Sequence, residues 1–469
     1  MDCEIKPPTK IFPGTIKDSA LYCDYGSIRE VPEADLWSFE EISEDGWAKD
    51  KNYVYWKGEK LDAPIDPATI TLLHPYPDTQ YYTSSYIIDI SGVWWYDKLH
   101  KGREAFKLNA DPATFSLVFE GRYGVDASRV FYSGKEISGA DPQSFAPLHS
   151  SDDTDYKNQY AKDKEHVYFV DSLMPDADPK SFTYLEDGYA KDRSSVYYNG
   201  ILLADADVRS FSVIKNYGND MYAVDKDYVF SGSEILDLDA SSFEVLGDRM
   251  IKDSQGVYYR EYNSSPPISI QGADAPTFQR IGECASFELS SGAYYRDKNN
   301  IYIGRAPEES MDAATFEYLG AYSGFIGPPY SISYARDKNA VYHSCGIEME
   351  DADVATFRNI KDGYAKDADT VWFLGRPVER ADLDSFRVLA GGYAKDAAAV
   401  YSSGDVLKDA DAATFEVVTE QVSDSAYSIR SYGKDAFHVY GYDGQVMEGI
   451  DPKDCVPQDI TACYPKPQP

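Results

Sequence analysis

Apolar and polar residues alternate along this chain in short bursts, and the bursts recur. Tyr-Ala-Lys-Asp occurs at Tyr160–Asp163, Tyr189–Asp192, Tyr364–Asp367 and Tyr393–Asp396, with variants at Trp47–Asp50 and Tyr334–Asp337. Four residues after the Asp comes a β-branched residue and then an aromatic: Val54-Tyr55, Val167-Tyr168, Val196-Tyr197, Val257-Tyr258, Ile301-Tyr302, Val341-Tyr342, Val371-Trp372 and Val400-Tyr401. A Gly, an aliphatic residue and a second Asp follow. A Phe stands four residues past that Asp, as in Asp111 with Phe115, Asp141 with Phe145, Asp207 with Phe211 and Asp382 with Phe386. Period-two runs this short, rich in β-branched and aromatic residues, predict short strands with side chains on alternating faces.

The turn signals fit that reading. Asn199-Gly200 directly after Val196-Tyr197-Tyr198 predicts a hairpin, and Gly58, Gly134, Gly232 and Gly404 hold the same place. Ala-Asp-x-x-[Ser/Thr]-Phe predicts a single helical turn: Asp is a good N-cap, and Pro follows it at Pro67, Pro112, Pro142, Pro179 and Pro452. The Asp that closes Tyr-Ala-Lys-Asp is expected to be a structural turn residue, at Asp50, Asp163, Asp192, Asp297, Asp337, Asp367 and Asp396.

Anchored on that Asp, the chain divides into thirteen units, from Asp18 to Asp435, spaced 28 to 44 residues apart. So small a unit cannot bury a core alone, and its neighbours must supply one. The expected fold is all-β: a tandem array of about thirteen short meander units with one helical turn each, stacked into an elongated, twisted array. Two β-propellers are the alternative, since a four-stranded meander can serve as a blade. A ring takes about 4–8 blades, however, and blades of about 40–45 residues are longer than most of these units. Residues 1–45 read as an N-terminal capping repeat, 46–420 as the central array and 421–469 as a C-terminal capping repeat with a Pro-rich tail. Insertions interrupt the array near 73–87, 261–270 and 321–333.

The core Asp-Lys-Asn-x-[Val/Ile]-Tyr, as in Asp50-Lys51-Asn52-Tyr53-Val54-Tyr55, resembles the bacterial DKNYY repeat family. The resemblance runs over almost the whole chain. That family is recognised by its pattern and has no established activity, so the resemblance carries over no catalytic residue. Asp126-Ala127-Ser128 and Asp396-Ala397-Ala398 have lost the Lys-Asn, which a structural turn tolerates and a ligand site would not.

Charge changes the picture of partners. The 469 residues carry 79 acidic and 45 basic side chains, for a net charge of -34. Such a chain repels nucleic acid and anionic membranes and favours a basic protein. No apolar run is long enough for a transmembrane helix. The six cysteines, at 3, 23, 284, 345, 455 and 463, include no CxxC pair. Those near the two ends are expected to form staples, which favours a periplasmic or envelope location over the cytoplasm.

No motif for catalysis, metal or cofactor stands out. The six histidines are scattered, and no His-Glu-x-x-His, Gly-x-Ser-x-Gly or phosphate-binding loop occurs. Recurrent Asp-Ala-Asp, as at Asp176–Asp178, lacks a calcium loop's distal Glu. No enzyme, cofactor or metal is therefore expected. The 40 tyrosines offer the better clue, because tyrosine is enriched in interfaces. Tyr81, Tyr82, Trp94, Phe325 and Tyr330, in or near the insertions, are the candidate binding residues, although one of Trp94-Trp95-Tyr96 must point inward. The expected function is non-enzymatic protein binding, in its concrete form a bacterial immunity or inhibitor protein that neutralises a basic toxin. The alternative is an envelope or surface protein that binds glycan.

Overall fold

The computed structural model describes residues 12–13, 20–24, 27–31, 33–35, 37–43, 46–73, 84–97, 105–118, 123–148, 159–214, 221–261, 266–284, 292–324, 330–421, 429–441 and 443–454. Among these residues the strands form thirteen antiparallel sheets, eleven of four strands and two of three. The all-β tandem repeat read from the sequence is therefore present. Contacts group the chain into two compact units. The first holds residues 1–214, 221–226 and 232–234; the second holds 215–220, 227–231 and 235–469.

One repeat of the first unit shows how sequence becomes structure. Its strands are Thr183–Tyr184, Tyr189–Lys191, Val196–Tyr198 and Ile201–Leu203, paired in chain order. Tyr-Ala-Lys is the second strand and Val-Tyr-Tyr the third, with Ala190 opposite Tyr197. Asn199 and Gly200 join the third strand to the fourth, with φ of 46° and 78°. Both residues are left-handed, the twist that a two-residue hairpin requires. The Ala-Asp-x-x-Ser-Phe segment makes the expected single turn, closed by Phe182 N–H donating to the Asp178 carbonyl at 3.0 Å.

Successive sheets pack through an aromatic ladder. Tyr160 and Val167 of one sheet bury against Ala190 and Tyr197 of the next, and Phe182 lies between them. The Phe182 ring is 5.4 Å from Tyr160 and 5.6 Å from Tyr197. In the second unit Phe386 stands likewise 5.5 Å from Tyr364 and 5.6 Å from Tyr401. Each buried aromatic contributes about 1.5–3 kcal/mol of hydrophobic stabilisation. Ala161, Ala190, Ala365 and Ala394 are wholly buried, so the second strand keeps a small residue where neighbouring rings close in.

A polar joint accompanies the apolar one. The Tyr160 hydroxyl donates to the Gly188 carbonyl (3.1 Å) and accepts from Gly200 N–H (2.9 Å), both in the next repeat. Tyr334 bonds in the same way to Gly363 and Gly375, and Tyr364 to Gly392 and Gly404. The hairpin glycine is needed here for a second reason besides its φ. A Cβ on Gly404 would lie 2.7 Å from Cβ of Phe373, and one on Gly375 would meet the His343 ring at 2.7 Å.

The insertions near 73–87 and 321–333 lie in the first hairpin of a repeat, whereas that near 261–270 lies between the third strand Val257–Tyr259 and the fourth strand Ile268–Ser269. Glu317–Gly324 pairs with Tyr330–Arg336, so residues 321–324 and 330–333 extend a sheet and carry the buried Ile332 and Ser333. Gln279–Cys284 with Gly292–Arg296 and Glu416–Gln421 with Ile429–Lys434 do the same. Cys284, at the end of its strand, is disulfide-bonded to Cys345, in the third-to-fourth-strand turn of the next repeat. This pairing inside the array is one that the end-staple reading does not contain. Cys3, Cys455 and Cys463 lie outside the described residues, as does the side chain of Cys23.

Gly404→Ala should test the joint. Added left-handed strain of about 1 kcal/mol or more, together with the close approach of Phe373, should lower the melting temperature by several degrees, about 2–4 °C per kcal/mol in a body of this size. A melting curve identical to that of the native chain would contradict this packing.

Candidate functional site

The most elaborate polar arrangement in the chain surrounds the turn carboxylates, and it recurs from repeat to repeat. In Asp163 one oxygen accepts the N–H groups of Glu165 and His166, each at 2.7 Å. The other accepts the Tyr168 hydroxyl at 2.8 Å and the N–H of Asp141 at 3.0 Å. Asp50 is bonded in the same way by Asn52, Tyr53, Tyr55 and Asp35. Asp192, Asp297, Asp337 and Asp396 repeat the set, and Asp367 takes Trp372 Nε1 in place of a tyrosine. All seven are buried. A carboxylate with four donors in place has no oxygen facing outward for a ligand.

The rest of the signature is spent in the same neighbourhood. Asp178 begins the Ala-Asp-x-x-Ser-Phe turn. Its carboxylate accepts the Ser181 hydroxyl at 2.6 Å, and that hydroxyl accepts Arg193 N–H at 3.1 Å. The lysine of Tyr-Ala-Lys-Asp caps the turn from the other side: Lys162 Nζ donates to the carbonyls of Pro179 and Phe182, and Lys395 Nζ to those of Ala412 and Phe415. The residue after the turn Asp pairs with the carboxylate of the preceding turn, as in Lys51 with Asp35 (2.6 Å), Arg193 with Asp178 (3.1 Å) and Lys338 with Asp312 (2.7 Å). Where Lys-Asn has become Ala, the turn survives, because its donors are backbone groups. Asp396 still accepts Ala398 N–H and Ala399 N–H, each at 2.7 Å.

Four of the carboxylates, Asp163, Asp192, Asp297 and Asp396, are held in their charged form. Burial pushes the Asp163 carboxyl up, but the hydrogen bonds from Asp141, Glu165, Tyr168 and His166 outweigh it and leave it below the ordinary carboxylate value. Asp192, Asp297 and Asp396 are lowered by the same balance. Tyr168 and Tyr401 are pushed well up, by burial first and then by the bond to their Asp. These groups hold a fold together, and no proton is poised to move near neutral pH.

The proposed binding aromatics do not converge on one site among the described residues. Tyr81, Tyr82 and Phe325 lie outside those residues. Tyr330 opens the strand Tyr330–Arg336, and its side chain is not described. Trp94 is 3% exposed and packs with Trp47, Ile87 and Tyr96. It stands five residues after Asp89, where other repeats carry the tyrosine that bonds the turn Asp, so Trp94 is a core residue.

One recurrent surface open to a partner is the fourth strand. In repeat after repeat its first two residues are solvent-facing: Lys135-Glu136, Ser172-Leu173 and Ile201-Leu202 in the first unit, Ile347-Glu348, Arg376-Pro377 and Asp405-Val406 in the second. Their chemistry varies freely, unlike that of the signature. In the second unit a shallow groove runs past Phe373, Arg376, Glu379, Gly404, Asp405 and Val406. Among the described residues, no group of three or more His, Cys, Asp or Glu is placed to hold a metal ion, and no helix is long and apolar enough to cross a membrane.

The sequence profile of the DKNYY family matches the chain five times, over residues 15–172, 99–234, 160–305, 262–402 and 294–444. No curated protein sequence matches it.

Two outcomes follow from the carboxylate geometry. Asp192→Ala strips the acceptor from buried donors and should destabilise the protein by at least about 2 kcal/mol, whereas Tyr197→Phe should cost about 1 kcal/mol. Urea melts of both variants measure this, and equal losses would contradict the four-donor arrangement. Second, unfolding must raise the lowered carboxyl values and take up protons, so acid favours the unfolded chain. Stability should hold from neutral pH down to about pH 4, the unfolded carboxyl value, and fall away as the folded values are passed. Melting temperatures across that range would show it, and a flat profile down to about pH 2 would exclude it.

Proposed function

Since the chain belongs to the DKNYY family, and the residues of that signature are consumed inside the fold, we propose that it is a non-enzymatic scaffold that binds a basic protein through its exposed, variable positions. The observation that carries this reading is a set of uncompensated acids at one repeat position. Two residues before the turn-opening Asp, Asp176 and Asp205 in the first unit and Asp237, Asp351 and Asp409 in the second are exposed. Among the described residues none of them is ion-paired. The signature carboxylates beside them are occupied by internal hydrogen bonds, so such exposed positions are the ones free to meet a cation directly.

A face of this kind steers a cationic partner toward it and rejects nucleic acid and anionic membranes. A bacterial immunity or inhibitor protein that neutralises a basic toxin is the concrete form of this proposal. Recurrence of these acids from repeat to repeat suits an interface drawn from several repeats rather than a single small pocket.

The test is the salt dependence of association. Between about 50 and about 500 mM salt the screening length drops from roughly 14 to roughly 4 Å, and the association rate with a basic partner should fall by about tenfold or more. A rate that stays flat would reduce the acidity to a solubility device and remove this reading. Polysaccharide binding that survives high salt would put a glycan partner in its place.

A further inference from the structure

Two neighbouring fourth strands in the first unit break the rule that exposed edges should be polar. Ser172–Met174 and Ile201–Leu203 are each the last strand of their sheet, and among the described residues their outer edges pair with nothing. Leu173 is 46% exposed, Ile201 56% and Leu202 47%. They are not overspill from the core, because the core is served by the residues that follow them: Met174 and Leu203 are 7% and 6% exposed. The two strands are brought together by the joint between their sheets. The Phe169 side chain packs on the Gly200 turn, where an added Cβ would lie 2.9 Å from Cβ of Phe169.

Adjacent solvent-facing aliphatics on unpaired edges attract a partner. Single exposed aliphatics stand at the equivalent strands of other repeats, at Ile235, Ile268, Ile347 and Val406, but none of those strands exposes two in a row as Ile201-Leu202 does beside Leu173. The aliphatic pair of edges is thus a local choice of side chains on a common frame. Asp176 and Asp205, each three residues beyond the aliphatic position of its strand, rim it with negative charge.

We propose that Leu173, Ile201 and Leu202, rimmed by Asp176 and Asp205, form a docking surface for an amphipathic basic segment of the partner protein, with aliphatic anchors flanked by Lys or Arg. This rests on the reading that the partner is basic. Charge decides between the occupants of such a patch. A second copy of this chain would bring its own -34 charge and an acidic rim against an acidic rim. An anionic lipid surface is repelled for the same reason. A segment whose cations meet the two carboxylates while its apolar side chains cover the leucines satisfies both parts of the surface.

The experiment uses the full-length chain and a fluorescein-labelled peptide of alternating leucine and lysine, with an all-lysine peptide beside it, read by anisotropy at about 150 mM salt. Leu173→Ser with Leu202→Ser should weaken the leucine–lysine peptide by about tenfold and leave the all-lysine peptide and the melting curve unchanged. Asp176→Asn with Asp205→Asn should weaken both peptides more than Asp384→Asn with Asp405→Asn, which removes the same charge from the second unit. The docking surface is overturned if the native chain does not bind the leucine–lysine peptide, if the serine pair binds it as well as the native chain does, or if the two asparagine pairs act alike. The basic-partner reading survives those results and falls only to a salt-independent association rate.

Discussion

A carboxylate taken out of water costs several kcal/mol unless its lone pairs are met, and the repeats of Asp50, Asp163, Asp192, Asp297, Asp337, Asp367 and Asp396 are arranged to meet them. Two donors come from the turn that the Asp itself closes. A third comes from the aromatic residue five positions on, across the hairpin, and a fourth from the backbone of the preceding Ala-Asp-x-x-[Ser/Thr]-Phe turn. One side chain therefore fixes the second strand, the third strand and the connection before them. The aspartate, the spacing to the tyrosine and the Ala-Asp turn recur together because each completes the coordination of the same two oxygens.

The contact between repeats is made of other residues, and it divides the work cleanly. Tyrosines on the second strand reach forward to backbone groups of the next repeat, while phenylalanines from the connecting turn fill the space between sheets. Lysine, the one signature residue that looks solvated, holds carbonyls of that turn. When every signature residue has an internal task, the surface that varies between repeats lies elsewhere. The residues left over are the outward positions of the fourth strand and the acids just beyond it.

Much of this was legible in the chain itself. Period-two runs, Asn-Gly and the Asp-to-Phe spacing give the strands, the hairpins and the single turn, and the thirteen turn aspartates match thirteen sheets. Trp94 is core rather than a binding residue, and the repeat contains the reason: the offset that puts Tyr55 beside Asp50 also puts Trp94 beside Asp89. Two features were not legible. The lysine's carbonyl partners lie 17 to 20 residues further on, beyond any local pattern. The Cys284–Cys345 bond joins an elongated hairpin to a turn one residue longer than its fellows, and no repeat rule forecasts an exception. The segments of 74–83 and 325–329, where three of the five proposed aromatics sit, lie outside the described residues.

Because the hydroxyl of each joint tyrosine looks only to its immediate successor, a repeat carries within itself both the plug and the socket. A whole repeat copied between two others would find both neighbours satisfied, and one removed would leave two compatible ends. Array length in such a chain is a heritable variable, adjusted by duplication or loss of whole modules without redesign of the interior. The duplicated fourth strands are then free to diverge one position at a time, so the number of repeats and the chemistry of their surface change on separate tracks.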